Sequence, residues 1–141
     1  MISPWEQIIR LVLALLIGSL IGLEREVSHK PAGLRTHALI SLASALFTML
    51  SFSSAFGDGA ADPTRIASQV LTGMGFVGAG VIISAGGQVK GVTTAVTLWI
   101  TAAMGMAIGL GEYLLAGVSI GLTLVTLLFL KAFERSLERQ E

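Results

Sequence analysis

The chain has 141 residues, nine basic and nine acidic, and is 53% hydrophobic but only 13% charged; its mean hydropathy is +0.81. Soluble domains carry about 25% charged residues, so this chain has too little polar surface to cover a water-soluble globule. Zero net charge gives no reason to expect nucleic acid as a partner, and the absence of cysteine excludes disulfides, thiolate metal sites and thiol nucleophiles. The sequence reads as a single all-α integral membrane domain over residues 1–141.

A spanning helix takes about 20 mostly apolar residues, and five stretches qualify. The first covers residues 5–23. No basic cluster precedes it and no small-residue cleavage site follows it, so it reads as a retained helix rather than a signal peptide. Arg10 lies near its outer end, where a long side chain can snorkel to the interface. The loop after it concentrates charge in Glu24, Arg25, Glu26, Lys30 and Arg35. If the helix runs past Leu23, Glu26 and Lys30 stand four apart as an ion pair, and Pro31 ends the helix.

The second span covers residues 36–56 and the third residues 65–83. Asp62-Pro63 precedes the third, and an Asp cap followed by Pro at the first helical position is a standard helix start. Within this span Arg65, Ser68, Gln69 and Thr72 share one helical face. In lipid such a face turns to the bundle interior or to a neighbouring subunit. Gly73, Gly75, Gly78 and Gly80 follow, each costing a helix about 1 kcal/mol relative to Ala. They serve either close helix packing or a helix break that exposes carbonyls to an ion.

Residues 85–91 read as a turn; the glycines are not followed by the Gly-Lys-Ser/Thr of a phosphate-binding loop. The fourth span covers residues 91–111, opening with Thr93 and Thr94 as capping or back-bonding hydroxyls, and the fifth covers residues 113–130. Gly18–Gly22, Gly105–Gly109 and Gly117–Gly121 are GxxxG pairs that let helices approach closely and suit a homodimer. Residues 131–141 read as a cytoplasmic helical tail with intrahelical charge pairs.

Lys and Arg counts set the orientation. With the amino terminus outside, Arg25, Lys30, Arg35, Lys90, Lys131, Arg135 and Arg139 fall inside, against Arg10 and Arg65 outside. Trp5, Phe56 and Tyr113 then lie near one membrane face, as an aromatic belt does. From charge alone, Arg25, Lys30 and Arg35 anchor this topology and meet lipid headgroups.

No hydrolase triad can be placed, and His29 and His37 stand eight apart around Pro31, not at a metal-binding spacing. A non-enzymatic protein is expected. Magnesium takes oxygen ligands; Glu24 and Asp62 are the weak candidates, and Glu26 could join Glu24.

The residues Ile21-Gly-Leu-Glu-Arg-Glu-Val27 and Lys30-Pro-Ala-Gly-Leu-Arg-Thr-His37 resemble the MgtC/SapB family of bacterial membrane proteins. Asp62, Arg65-Ile-Ala67, Gln69-Val70, Gly73-Met-Gly-Phe-Val-Gly-Ala-Gly-Val-Ile82 and Gly91-Val-Thr-Thr-Ala-Val-Thr-Leu-Trp99 continue the match in order. The resemblance implies a five-helix protein of the bacterial inner membrane, tied to magnesium homeostasis and adaptation to low magnesium. Magnesium would be its ligand or substrate. In pathogens, relatives support survival inside macrophages, and some are linked to the ATP synthase through contacts within the membrane. It marks Glu24, Arg25, Lys30, Arg35, Thr36, Asp62, Arg65, Gln69, Thr93, Thr94 and Trp99 as candidate functional residues. Many relatives carry a carboxyl-terminal cytoplasmic domain, and this sequence reads as a short member without it.

Three functions follow from these observations. The first is a regulator that binds membrane partners through glycine-rich faces. The second is a magnesium or proton-coupled transporter, using the Arg65–Gln69–Thr72 stripe and a mouth at Glu24 and Arg25. The third is a structural assembly protein.

Overall fold

The structure is a computed structural model, and it describes residues 2–53, 62, 64–85 and 88–130. Five helices form in chain order: α1 (Pro4–Val27), α2 (Leu34–Ser51), α3 (Arg65–Val81), α4 (Val92–Leu110) and α5 (Tyr113–Val125), the last continued by a π-helical turn over Thr126–Leu130. Between α3 and α4 lies a small antiparallel hairpin, β1 (Ile83–Ala85) with β2 (Gln88–Lys90). Four of these segments are long and apolar enough to cross a membrane: Pro4–Val27, Leu34–Ser51, Val92–Leu110 and Tyr113–Leu130. At 17 residues, α3 is slightly shorter.

Side chains sort by size and by polarity in the reverse of a water-soluble core. Ala14, Ala45, Ala102 and Ala116 are buried, together with the hydroxyls of Ser41, Ser44, Thr48, Thr97 and Thr101. Phe76, Leu114, Phe129 and Leu122 face outward. Lipid tails are as apolar as leucine, so burying leucine gains little in a bilayer, whereas close backbone approach and satisfied polar groups gain more. The family resemblance and this sorting describe the same multi-pass membrane protein.

Helix α4 touches each of the other four helices, and α1, α2 and α4 each touch the other two. The glycine pairs explain this close triple. A Cβ on Gly18 would stand 2.5 Å from the His37 carbonyl oxygen, and one on Gly22 2.7 Å from the Leu34 Cα. On α4, a Cβ on Gly105 would stand 2.3 Å from the Ser41 carbonyl oxygen, and one on Gly109 2.7 Å from that of Ala45. Two GxxxG pairs thus clasp one helix. Gly117 and Gly121 of α5 meet nothing within 4 Å, so the third pair packs against nothing among the described residues.

Several sequence expectations are corrected. The third helix ends at Val81, and the stretch expected as a turn contributes β2, because Ile82-Ile83 is β-branched and two glycines follow Ala85; Gly86 and Gly87 lie outside the described residues. The fold is therefore all-α except for this hairpin. Helix α3 runs unbroken through Gly73–Gly80, so the helix-break alternative falls. Among the described residues, a Cβ on Gly78 would stand 3.6 Å from the Ala95 Cβ, while one on Gly73, Gly75 or Gly80 would meet nothing within 4 Å. Phe56 and the expected tail at 131–141 lie outside the described residues.

Arg10 does not snorkel. It is 8% exposed, pairs with Glu6 and donates from Nη1 to the Gly109 carbonyl oxygen at 2.6 Å. A cation beside the last carbonyls of α4 is favoured by the helix dipole. Gly111, the residue ending α4, has φ +89°, and a Cβ there would stand 2.7 Å from Arg10 Nη2.

The starts of α2 and α3 are capped from neighbouring helices, whereas α1 is capped by its own Ser3. Glu26 does not bond Lys30; its Oε2 accepts from the Leu34 N–H at 3.0 Å, capping α2 from the end of α1. Asp62 is not the cap of α3 either, because the helix begins at Arg65 with Thr64 in the capping position. The acceptor for its first turn is Ser51 Oγ at the end of α2, 3.1 Å from the Ala67 N–H. Asp62 instead folds the chain just ahead, accepting from the Thr64 N–H at 2.8 Å and the Thr64 hydroxyl at 2.7 Å.

Candidate functional site

The motif residues of the first loop separate into a buried pair and exposed companions. Arg25 is 2% exposed, its Nε donating to the Glu24 carboxylate. Ser28 Oγ, one turn on, donates to Glu24 Oε1 at 2.8 Å. Arg25 Nη1 is buried and has no acceptor among the described residues. A guanidinium left part-satisfied at such depth is costly. Lys30, Arg35 and Thr36 are exposed.

Across from this pair runs a buried polar column, of which the motif reading singled out Thr94 alone. On α2 it comprises His37, Ser41, Ser44, Thr48 and Ser51, and on α4 Thr94, Thr97 and Thr101. His37 is fully buried; its Nδ1 lies 3.0 Å from the Gly33 carbonyl and its Nε2 3.4 Å from Thr97 Oγ1. A carbonyl only accepts, so Nδ1 carries the proton. The signal was present in sequence: these positions recur every three or four residues along one face of each helix. Three hydroxyls in the column bond back to their own helix: Thr48 to Ser44, Thr97 to Thr94 and Thr101 to Thr97. Back-bonded hydroxyls satisfy themselves where water is absent. Ser41 Oγ has no partner among the described residues.

The third-span residues stand elsewhere. Arg65, Ser68, Gln69 and Thr72 are all exposed on α3, so the stripe does not line the bundle interior. Gln69 edges an apolar groove of about 320 Å³ between α2 and α3, with Ile40, Phe47, Val70 and Met74. Trp99 is 47% exposed on the lipid-facing side of α4.

The two weak metal candidates cannot share an ion. Glu24 closes α1, beside the start of α2, whereas Asp62 precedes α3, whose first turn is tied to the end of α2. The length of α2, 18 residues or about 27 Å at 1.5 Å per residue, separates them. Each carboxylate is also already engaged, by Arg25 and Ser28 or by Thr64. Among the described residues no group of three His, Asp or Glu side chains could hold a metal ion.

The MgtC family profile matches residues 11–136 of this chain. The chain belongs to the MgtC family. Over 136 residues it is 46% identical to the "Putative magnesium transporter YhiD" of Escherichia coli (strain K12), covering 92% of this chain and 61% of that protein. It is 47% identical over 98 residues to "Protein MgtC" of Brucella abortus (strain 2308), covering 70% of this chain and 40% of the relative. Against "Protein MgtC" of Salmonella typhimurium (strain LT2) the figures are 43% over 106 residues, 75% and 44%. The chain thus spans less than two thirds of the length of these relatives. No solved structure matches it. In this MgtC-family chain, the Glu24–Arg25 pair and the α2–α4 column form the buried half of the candidate site, and the α3 face forms the exposed half.

Proposed function

We propose that this MgtC-family chain is a non-enzymatic protein of the bacterial inner membrane that serves magnesium homeostasis by lateral contact with another membrane protein. The observation that carries this reading is the outer face of α3. It presents Ser68, Gln69 and Thr72 beside Gly73, Gly75 and Gly80, which meet nothing within 4 Å. The Ser68 hydroxyl bonds back to the Arg65 carbonyl at 2.9 Å, but an amide such as that of Gln69 finds no partner in lipid and glycines there add no packing, whereas against a second helix both become favourable. A second copy of this chain or a larger assembly such as the ATP synthase would supply that helix. The amino terminus lies outside and Lys30, Arg35 and Lys90 lie in the cytoplasm, following the charge bias.

Transport is the second reading. It is favoured by the name of the YhiD relative and by the unpaired buried nitrogen of Arg25 beside the polar column. Magnesium flux into sealed liposomes containing only the purified chain separates the two. No flux is expected, together with loss of growth on limiting magnesium when Gly75→Leu blocks the α3 face of a folded protein. Saturable flux that disappears in Glu24→Gln would overturn the contact reading in favour of transport.

A further inference from the structure

A cavity of about 410 Å³ borders the buried half of the candidate site at Thr94 and opens away from its other residues. The turn between α1 and α2 contributes His29, Lys30 and Pro31, strand β2 contributes Val89 and Lys90, and α4 contributes its first turn from Gly91 to Thr94. We propose that this cavity binds the phosphate group of an anionic ligand.

Three independent features converge there. Lys30 and Lys90, sixty residues apart in sequence, line one cavity, and no carboxylate lines it. Neither lysine is in an ion pair among the described residues. The 19-residue α4 starts at the cavity wall with Gly91 in the capping position, at φ +90° and without a side-chain cap. Its first N–H groups and the positive end of its dipole therefore favour an anion. Finally, Thr94 lines the same cavity while only 2% exposed. Its carbonyl serves Thr97, but its hydroxyl has no partner among the described residues.

Topology alone does not require this arrangement. Positive charge anywhere in the two loops would orient the helices. It would not bring two lysines onto a helix start without a side-chain cap, beside the unpartnered hydroxyl of a threonine that lines the cavity. Gly91 is needed for the approach: its φ is left-handed, and a Cβ would stand 2.3 Å from the Val81 carbonyl oxygen.

The phosphate could be a lipid headgroup at the membrane surface or a free phosphate in solution, and two probes distinguish them. The full chain in a phosphate-free maltoside detergent is titrated with inorganic phosphate by calorimetry. Retention of phosphatidylglycerol is measured separately by native mass spectrometry. Saturable binding of either probe is expected, weakened at least tenfold in Lys30→Gln/Lys90→Gln and severalfold in Thr94→Val. Lipid retention without phosphate binding assigns a headgroup, and the reverse assigns a free phosphate. Absence of saturable binding for both probes overturns the proposal. So does equal binding by the parent and a Thr94→Val chain whose helical circular dichroism is intact, which holds even if the double lysine variant fails to fold.

Discussion

Arg10 of α1 donates to the carbonyl oxygen of Gly109 in α4 at 2.6 Å, joining residues ninety-nine positions apart. The contact sits where α4 ends in Gly111, whose left-handed φ of +89° leaves room for the guanidinium. One charged side chain thereby satisfies a helix terminus that lipid cannot solvate.

Removing that guanidinium should loosen the α1–α4 contact. Arg10→Met keeps the apolar stem but loses a charge-assisted bond to a buried carbonyl, a loss of about 2 kcal/mol. Gly111→Ala should cost a similar amount, because a left-handed φ is unfavourable by about 1–2 kcal/mol for residues bearing a Cβ and the methyl meets Arg10. Reversible unfolding in mixed micelles measures both, and the double variant should fall short of the sum because the two share one contact.

The glycines divide into two classes with opposite expected responses. Gly105→Ala places a methyl against the Ser41 backbone, which cannot give way as a flexible side chain can. Overpacking of this kind costs about 1–3 kcal/mol. Gly117→Ala meets open space and should gain up to about 1 kcal/mol of helix propensity. Thermal unfolding of the two variants side by side is the check.

Ser51→Ala should unfasten the start of α3 without disturbing α2. It removes the acceptor for the Ala67 N–H, and loss of such a cap costs about 1 kcal/mol. Amide exchange at Ala67 should accelerate, while exchange at Ala45 stays as in the parent.

Asp62 gives a pH dependence with a defined sign. The Thr64 N–H, and then the Thr64 hydroxyl, hold its carboxyl below the usual range for aspartate. Its folded pKa therefore lies below its unfolded one. The contribution of the turn is present above the ordinary aspartate pKa and is lost as pH falls through the lowered folded value. The Thr64 amide resonance should shift along that acid titration in the parent, and Asp62→Asn should abolish the pH dependence.

How much was legible in sequence differs from residue to residue. Helix positions followed from apolar length, and the two GxxxG pairs that clasp α2 were readable as close-approach sites because only glycine permits backbone contact at that distance. The fate of Arg10 was not readable. Whether an arginine near a helix end reaches water or turns inward depends on which carbonyl lies opposite, and Gly109 is ninety-nine residues away. Asp62 misled for a related reason. A local Asp-Pro pattern matched a cap, but Ser51 from another helix reached the amide first. The column from His37 to Ser51 shows in sequence as a helical spacing of polar residues, but its burial follows from the packing of α1 and α4 on α2, which no single segment specifies.

The sequence by itself determined that this chain is a mostly helical membrane protein and which family it belongs to, because length, hydropathy and ordered motifs are local properties of the chain. Only the tertiary structure decided which glycines touch a neighbour, that Glu26 and Ser51 cap helices other than their own, and that Lys30 and Lys90 meet at the start of α4. Those facts depend on which helix lies beside which. In a bilayer that choice is made by backbone approach and by the need to satisfy every buried polar group, and neither is written in any single segment.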